Sequence, residues 1–169
     1  MNENFGGAPL SGAAAALLPY RTARQVLAGK PAGVVAVAPG DSVLSALRVL
    51  AEKDCGLVVV LEGTRLVGVM SERDYARKVV LQGRASSDVP VRDIMTANVV
   101  HVTPEHTVTQ CMALMDENRF RHLPVVEGGQ VLGVLSVRDI LQEIIAHHAR
   151  LIGNFELERT SLLNQSGAY

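Results

Sequence analysis

Val35–Ala76 can be laid over Val100–Leu141 without a gap, at a constant offset of 65 residues that places Ser136 on Ser71. Identities run through the whole overlay: Val37 with Val102, Pro39 with Pro104, Val43 with Val108, and Val60 with Val125. Glu62-Gly63 falls on Glu127-Gly128 and Gly68-Val69 on Gly133-Val134. The copies close on Ser71, Arg73 and Asp74 against Ser136, Arg138 and Asp139. Such a repeat constrains the fold strongly, because each copy must take the same path. A unit of about 45 residues buries too little surface to be stable alone. The two copies are therefore expected to pair about a pseudo-twofold axis and share a core.

Within a copy the pattern reads β-α-β-β-α. Short apolar strands, Val34–Val37 and Val99–Val102, stop at Pro39 and Pro104. Ser42 and Thr107 then offer N-cap hydroxyls, and Gln110 stands at capping-box distance from Thr107. Val43, Ala46, Leu47 and Leu50 form the apolar stripe of one helix; Val108, Cys111, Met112 and Met115 form that of its counterpart. Two more strands follow in each copy, Leu57–Leu61 with Leu66–Met70 and Leu123–Val126 with Val131–Leu135. The strings Glu-Gly-Thr-Arg and Glu-Gly-Gly-Gln between them are hairpin signals. These strands are almost wholly apolar, so both faces should be covered by helices. Closing helices begin at Ser71 and Ser136, and Gln82-Gly83 ends the first. The expected fold class is α/β of the α+β type, two βαββα repeats related by a pseudo-twofold axis.

Charge narrows the functions open to such a module. The 169 residues carry a formal net charge of −1, which leaves no electrostatic footprint for nucleic acid. Hydrophobic residues make up 48% of the chain, so most of it folds, yet aromatics are only 4% and Trp is absent. The core is accordingly built from Val, Leu, Ile, Met and Ala. No apolar run approaches the roughly 18 residues that span a bilayer, so no membrane role is expected. The stretch from Gly12 to Leu18 is apolar, but the opening Met-Asn-Glu-Asn lacks positive charge and Pro19 ends the run. It reads as part of a flexible, Ala/Gly-rich leader rather than a signal peptide.

Cys55 and Cys111 stand alone, which speaks against a disulfide scaffold or a zinc site and fits a reducing cytoplasm. The histidines show no ligand spacing: His101 and His106 flank a strand end and a turn, and His147-His148 are helix neighbours. No G-x-S-x-G, Walker loop or Cys with a His/Asn signature occurs. No metal, obligatory cofactor or catalytic activity is expected.

The Ser-x-Arg-Asp string carries the chemistry. Ser71 lies where a strand ends and a helix begins, so unpaired backbone N–H groups and the helix dipole favour an anion there. The Ser hydroxyl adds a donor for a phosphate or ribose oxygen. Asp74, one turn on, is an acceptor whose two oxygens suit the two hydroxyls of a ribose. Ser136 and Asp139 repeat the arrangement. The same spacing is also a plain capping pattern, with Ser capping and Asp bonding back. The two readings are compatible, because Ser can cap in the absence of ligand.

The strings GVMSERDYARKVV, VRDIMT, RHLPVV and GVLSVRDIL, in this order around an ungapped repeat, closely resemble paired CBS domains, the Bateman arrangement, over about residues 22–148. The organisation looks most like the small bacterial proteins that consist of such a pair and little else. It divides the chain into a leader (1–21), CBS repeat one (22–83), a polar linker (84–90), CBS repeat two (91–148) and a tail (149–169). In the tail, Leu151, Phe155 and Leu162 either pack a helix onto a second copy or leave the end loose.

The resemblance implies two clefts related by the pseudo-dyad, taking adenosyl ligands: AMP first, then NAD, ATP or ADP, and S-adenosylmethionine. It implies a disc-shaped homodimer and a non-enzymatic, cytoplasmic signal-transduction module that regulates a separate, unidentified protein. The alternative is a structural or interaction module that dimerises without a physiological ligand. By resemblance, the clefts take in Ser71, Asp74, Ser136, Asp139, Val69 and Val134, with Val35 and Val100 as apolar wall and backbone partners for adenine.

Phe120-Arg121-His122 stands in copy two where copy one has Cys55-Gly56-Leu57, so the clefts are expected to be unequal. Arg121 is a fork-shaped phosphate donor and His122 a second, pH-sensitive one. The plain alternative for both is an exposed polar pair at a strand entrance. Gly56 permits close approach of a bulky ligand, and Cys55 either borders the cleft or packs as a small residue. Arg73 and Arg138 are phosphate contacts or dimer salt bridges. The run Arg73, Arg77 and Lys78 reads as a solvated helix face.

Overall fold

The computed structural model describes residues 20–31 and 33–166, with side chains as far as Leu157. Apart from Tyr20 and Arg21, the expected leader lies outside the described residues. A first helix α1 (Ala23–Leu27) precedes copy one, which supplies β1 (Ala36–Val37), α2 (Val43–Glu52), β2 (Leu57–Glu62), β3 (Arg65–Ser71) and α3 (Glu72–Lys78). Copy two supplies α4 (Val108–Asn118), β4 (His122–Glu127), β5 (Gln130–Ser136) and α5 (Val137–Ser166). The strands form one mixed sheet in the order β1-β2-β3-β5-β4. This is the expected α+β architecture.

Each copy's long strands form an antiparallel hairpin. Their tight turns use Gly63 at φ +65° and Gly128-Gly129 at +57° and +82°, conformations that side chains with a Cβ rarely adopt. The hairpins meet through Arg65 opposite Gln130. The strands are covered on both faces, as the apolar runs require: Val58, Val59 and Val60 are fully buried, as are Leu123 and Val125. The Ser42 hydroxyl accepts from the Ser45 N–H at the start of α2, and Thr107 and Gln110 form a capping box at the start of α4. The α3 helix stops at Lys78, earlier than the glycine signal implies. A 3-10 turn, Val80–Gln82, then carries the chain to Gly83 at φ +64°.

One strand differs between the copies. In copy one the Val59 N–H donates to the Val35 carbonyl at 3.1 Å, and β1 pairs parallel to β2 through Ala36 and Val37. Pro124 occupies the corresponding place in copy two and has no N–H to give. The expected strand Val99–Val102 therefore contracts to a single parallel bridge, Val102 with Val125. The Val100 carbonyl is left without the ladder bond that engages Val35.

The segment leading into each copy packs on the other copy. Val89, Val91 and Ile94 are buried in the core of copy one, although they precede copy two. Ala23, with Tyr20, Val26 and Leu27 packed around it, belongs to the core of copy two. The backbone bonds match: Val91 and Arg92 donate to Asp41 and Pro39 (2.8 and 3.0 Å), and Ala23 and Arg24 donate to His106 and Pro104 (2.8 and 3.0 Å). Gly68 and Gly133 provide the room. A Cβ on Gly68 would come 2.6 Å from Met95 Sδ, and one on Gly133 2.8 Å from Leu27 Cδ2. The 3-10 turn Val91–Asp93, at the start of repeat two in the sequence, thus closes the core of copy one.

The α5 helix continues unbroken to Ser166, so residues 149–166, expected either to pack on a second copy or to be loose, are helical. Leu151 is half-buried, while Leu141, Ile145, Ile152 and Phe155 are exposed; Leu162 lies beyond the described side chains. Near its middle α5 holds the lead-in segment: His147 is buried and stacks on Tyr20 with ring centroids 4.1 Å apart. The buried Glu143 carboxylate accepts from Arg150 at 2.6 Å and pairs with Arg21 at 3.6 Å. Among the described residues, no helix is long and apolar enough to cross a membrane.

Candidate functional site

Two cavities of similar size, about 420 Å³ and 430 Å³, lie at the Ser71 and Ser136 ends of the hairpins, on either side of Gly56, Leu57 and His122. Each is built from both copies. Cleft one takes Ser71, Asp74, Val69 and Arg73 from the end of β3 and the start of α3. Opposite them stand Val100 and the Asn118–His122 junction of copy two. Cleft two takes Val134 and Ser136 from copy two, with Val35 and the Lys53–Leu57 junction of copy one opposite. Gly56, Leu57 and His122 line both clefts and form the wall between them. Antiparallel hairpins joined near a pseudo-dyad place each Ser-x-x-Asp turn against the other copy's lead strand.

The structure thus brings together in cleft one nine of the residues singled out in the sequence: Ser71, Asp74, Val69, Arg73, Val100, Phe120, Arg121, His122 and Gly56. Cleft two gathers Ser136, Val134, Val35, Cys55, Gly56 and His122. Arg138 and Asp139 line neither cavity. Asp139 stands behind the Lys30 ammonium, which does line cleft two.

Both serine–aspartate pairs form the capping geometry. The Ser71 hydroxyl and N–H donate to Asp74 Oδ2 at 2.6 and 3.0 Å, and the Asp74 N–H donates back to Ser71 Oγ at 3.3 Å. Ser136 and Asp139 repeat this with 2.7, 2.7 and 3.3 Å. A lysine completes each. Lys78 donates to Asp74 Oδ1 at 2.8 Å and to the Ile94 carbonyl at 2.6 Å. Lys30 donates to Asp139 Oδ2 at 2.7 Å and to the Val134 carbonyl at 3.0 Å. Burial works to raise both carboxyls, but the lysine ammonium and the serine donors outweigh it and hold them below the usual carboxylate range. Any diol bound by these aspartates must compete with a lysine.

Lys78 is a correction to the sequence reading: it turns inward to Asp74 instead of belonging to a solvated face, whereas Arg73 and Arg77 are exposed. Its position four residues after Asp74 was a legible signal. Lys30 and Arg119 were also missed. Lys30 reaches the site from a distant segment, and no spacing in the sequence announces it.

His122 is half-buried between the clefts. Burial, then the charges of Arg121 and Lys30, push its imidazole below the ordinary value, with Asp139 and Glu72 opposing. Burial likewise raises the Cys55 thiol at the edge of cleft two and takes Cys111, in the core, to about 11. Neither cysteine is disulfide-bonded. Among the described residues, no cluster of three or more His, Cys, Asp or Glu side chains is placed to hold a metal.

The CBS domain profile matches residues 31–81 and 91–146, two successive units. The chain belongs to the CBS-domain family. As a tandem CBS-domain protein it shares a class whose members are in general regulatory modules. It is similar to the structure of a protein with CBS domains from Burkholderia ambifaria MC40-6 at 44% identity and a TM-score of 0.71, covering 74% of this chain and 94% of that one. It is also similar to a hexameric CBS-CP12 protein from bloom-forming cyanobacteria, 29% identical, TM-score 0.64, covering 72% of this chain and 71% of that one. The mitochondrial CBS domain-containing protein CBSX3 of Arabidopsis thaliana is 36% identical over 132 residues, 75% of this chain. The match spans 62% of that relative's length.

Proposed function

We propose that this CBS pair is a non-enzymatic regulatory module that binds adenosyl ligands, with AMP, ADP, ATP and NAD as the leading candidates and S-adenosylmethionine next. The observation that carries the reading is the composition of cleft one. A carboxylate suited to a ribose diol, Asp74, faces the apolar Val100, whose carbonyl the sheet does not use because Pro124 has no N–H. That carbonyl is an acceptor for the amino group of adenine, and Val69 and Val100 supply apolar walls. Cleft two offers a second set around Ser136 and Val35, with Asp139 behind Lys30. The output passes to a separate protein. The module works in the cytoplasm, in keeping with its free thiols, and self-associates as a homodimer, to which the exposed face of α5 with Leu141, Ile145, Ile152 and Phe155 is suited.

A ligand that binds only the folded chain at about 100 times its dissociation constant adds about 2.7 kcal/mol of stability. A thermal-shift panel of adenosine, AMP, ADP, ATP, NAD and S-adenosylmethionine therefore tests the reading, with Asp74→Ala as the control that removes the shift from cleft one. A second reading, a structural module without ligand, is favoured by one observation: each aspartate already has its serine and its lysine. No shift with any compound, and an Asp74→Ala variant that differs only in stability, would establish that second reading instead.

A further inference from the structure

The two clefts differ in where their positive charge is free. Arg73, Arg119 and Arg121 all line cleft one, from α3, from the end of α4 and from the approach to β4. None of the three has an ion-pair partner among the described residues. Arg73 Nη1 donates to the Arg119 carbonyl at 3.5 Å, which holds two of the three elements together. Against these guanidiniums stands the carboxylate of Glu72, since Asp74 is neutralised by Lys78. Like charges converging on a cavity in this way create a potential that an anion relieves.

Cleft two has the opposite balance. Its cations are already paired, Lys30 with Asp139 at 2.7 Å and Lys53 with Glu52 at 3.0 Å. The repeat sharpens the contrast. Asp54 is the counterpart of Arg119, and both take a left-handed backbone, φ +48° and +55°, at the end of equivalent helices. Both line their clefts, so the same structural position carries a carboxylate in one and a guanidinium in the other.

We infer that cleft one selects a ligand with two or more linked phosphates, while cleft two takes adenosyl ligands with one phosphate or none. A guanidinium presents a fork of donors that matches phosphate oxygens, and three of them carry more positive charge than one terminal phosphate, at about −1.5 to −2, neutralises. A chain of phosphates supplies acceptors for all three. Cleft two, with its cations paired and Asp54 exposed, repels such a chain. The inference rests on the adenosyl reading and goes beyond it by assigning phosphate number to each cleft.

Calorimetric titration of the full chain with adenosine, AMP, ADP, ATP and inorganic tripolyphosphate tests this. ADP and ATP are expected to bind one site at least about tenfold more tightly than AMP, while the other site shows no such gain. Arg119→Gln and Arg121→Gln, both exposed, should each reduce the ATP affinity about tenfold and the adenosine affinity distinctly less. Tripolyphosphate should bind in an Arg121-dependent manner but more weakly than ATP. ATP binding no tighter than AMP, or an ATP-to-AMP ratio untouched by both variants, overturns the inference while leaving the adenosyl reading intact. Tripolyphosphate binding as tightly as ATP, or no binding of adenosine and AMP at either cleft, overturns the adenosyl reading itself.

Discussion

The Lys30 ammonium stands 2.7 Å from Asp139 Oδ2, across 109 residues of sequence, and donates a second bond to the Val134 carbonyl at 3.0 Å. In the other copy Lys78 performs the same service for Asp74 from the next turn of the same helix. Equivalent carboxylates thus keep a cation by unlike routes. Freeing Asp74 requires a side chain to rotate, whereas freeing Asp139 loosens the tether between the lead-in segment and copy two.

The first prediction concerns that tether. Lys30→Met should cost about 1–2 kcal/mol at neutral pH, because it strands a largely buried carboxylate. Asp139 titrates below its ordinary value in the folded chain. Its contribution is therefore present above the unfolded value of about 3.9 and is lost as pH falls through the folded value. Urea denaturation at a series of pH values should show the gap between wild type and variant widest near pH 7 and closing on the acid side. A gap independent of pH would mean that the lysine stem, not its charge, stabilises the protein.

The exchange of lead-in segments makes a second prediction. An alanine Cβ at Gly68 would meet Met95 Sδ at 2.6 Å and the Thr96 carbonyl at 3.2 Å; at Gly133 it would meet the Leu27 side chain at 2.8 and 3.1 Å. Leu27 can turn away, but the Thr96 backbone is tied to Val69 by two hydrogen bonds of 2.8 and 3.0 Å. Gly68→Ala should destabilise by about 1–3 kcal/mol, and Gly133→Ala by distinctly less. Denaturation midpoints of the two variants decide it.

A third prediction follows from His122. Its imidazole titrates below the ordinary value, chiefly through burial and then through Arg121 and Lys30. The unfolded chain therefore takes up a proton first, near the unperturbed value of about 6.5. Stability is lost as pH falls from there toward the folded value and is unaffected above it. His122→Leu, which installs the residue found at the matching position of copy one, should flatten this part of the acid limb. Chemical denaturation at pH 7.5 and 5.5 gives the test: the variant should lose less stability between the two than wild type.

The repeat, the capping serines and threonine, the hairpin glycines and the buried strands were legible because each is a local signal, written within one copy and confirmed by the other. Pro124 was equally legible in principle, since a proline opposite an expected strand forbids one of its bonds. The packing of Tyr20–Leu27 on copy two and of Val89–Ile94 on copy one was not, because periodicity reports which face is apolar and says nothing about which core receives it. The same limit hid Lys30. Its partner was chosen by that exchange, so the residues gathered in cleft one were easier to foresee than the ion pair behind cleft two.

The last prediction separates folding from binding at Arg119. This residue ends α4 at φ +55°, donating its N–H toward Asp116 and Met115, while the Phe120 N–H donates to the Met115 carbonyl at 3.1 Å. Glycine takes that conformation without a Cβ clash, and helices commonly end on one. Arg119→Gly should therefore raise stability by about 0.5–1 kcal/mol, while Asp54→Gly, which replaces a residue tolerant of the left-handed region, should change little. Thermal denaturation without ligand checks both. In the presence of ATP the order should reverse, since Arg119→Gly removes one of three free guanidiniums and its ligand-induced shift should shrink. A residue kept for the fold would not be an arginine at this backbone angle, so a stabilised variant with weakened ATP response would mark Arg119 as selected for what enters the cleft.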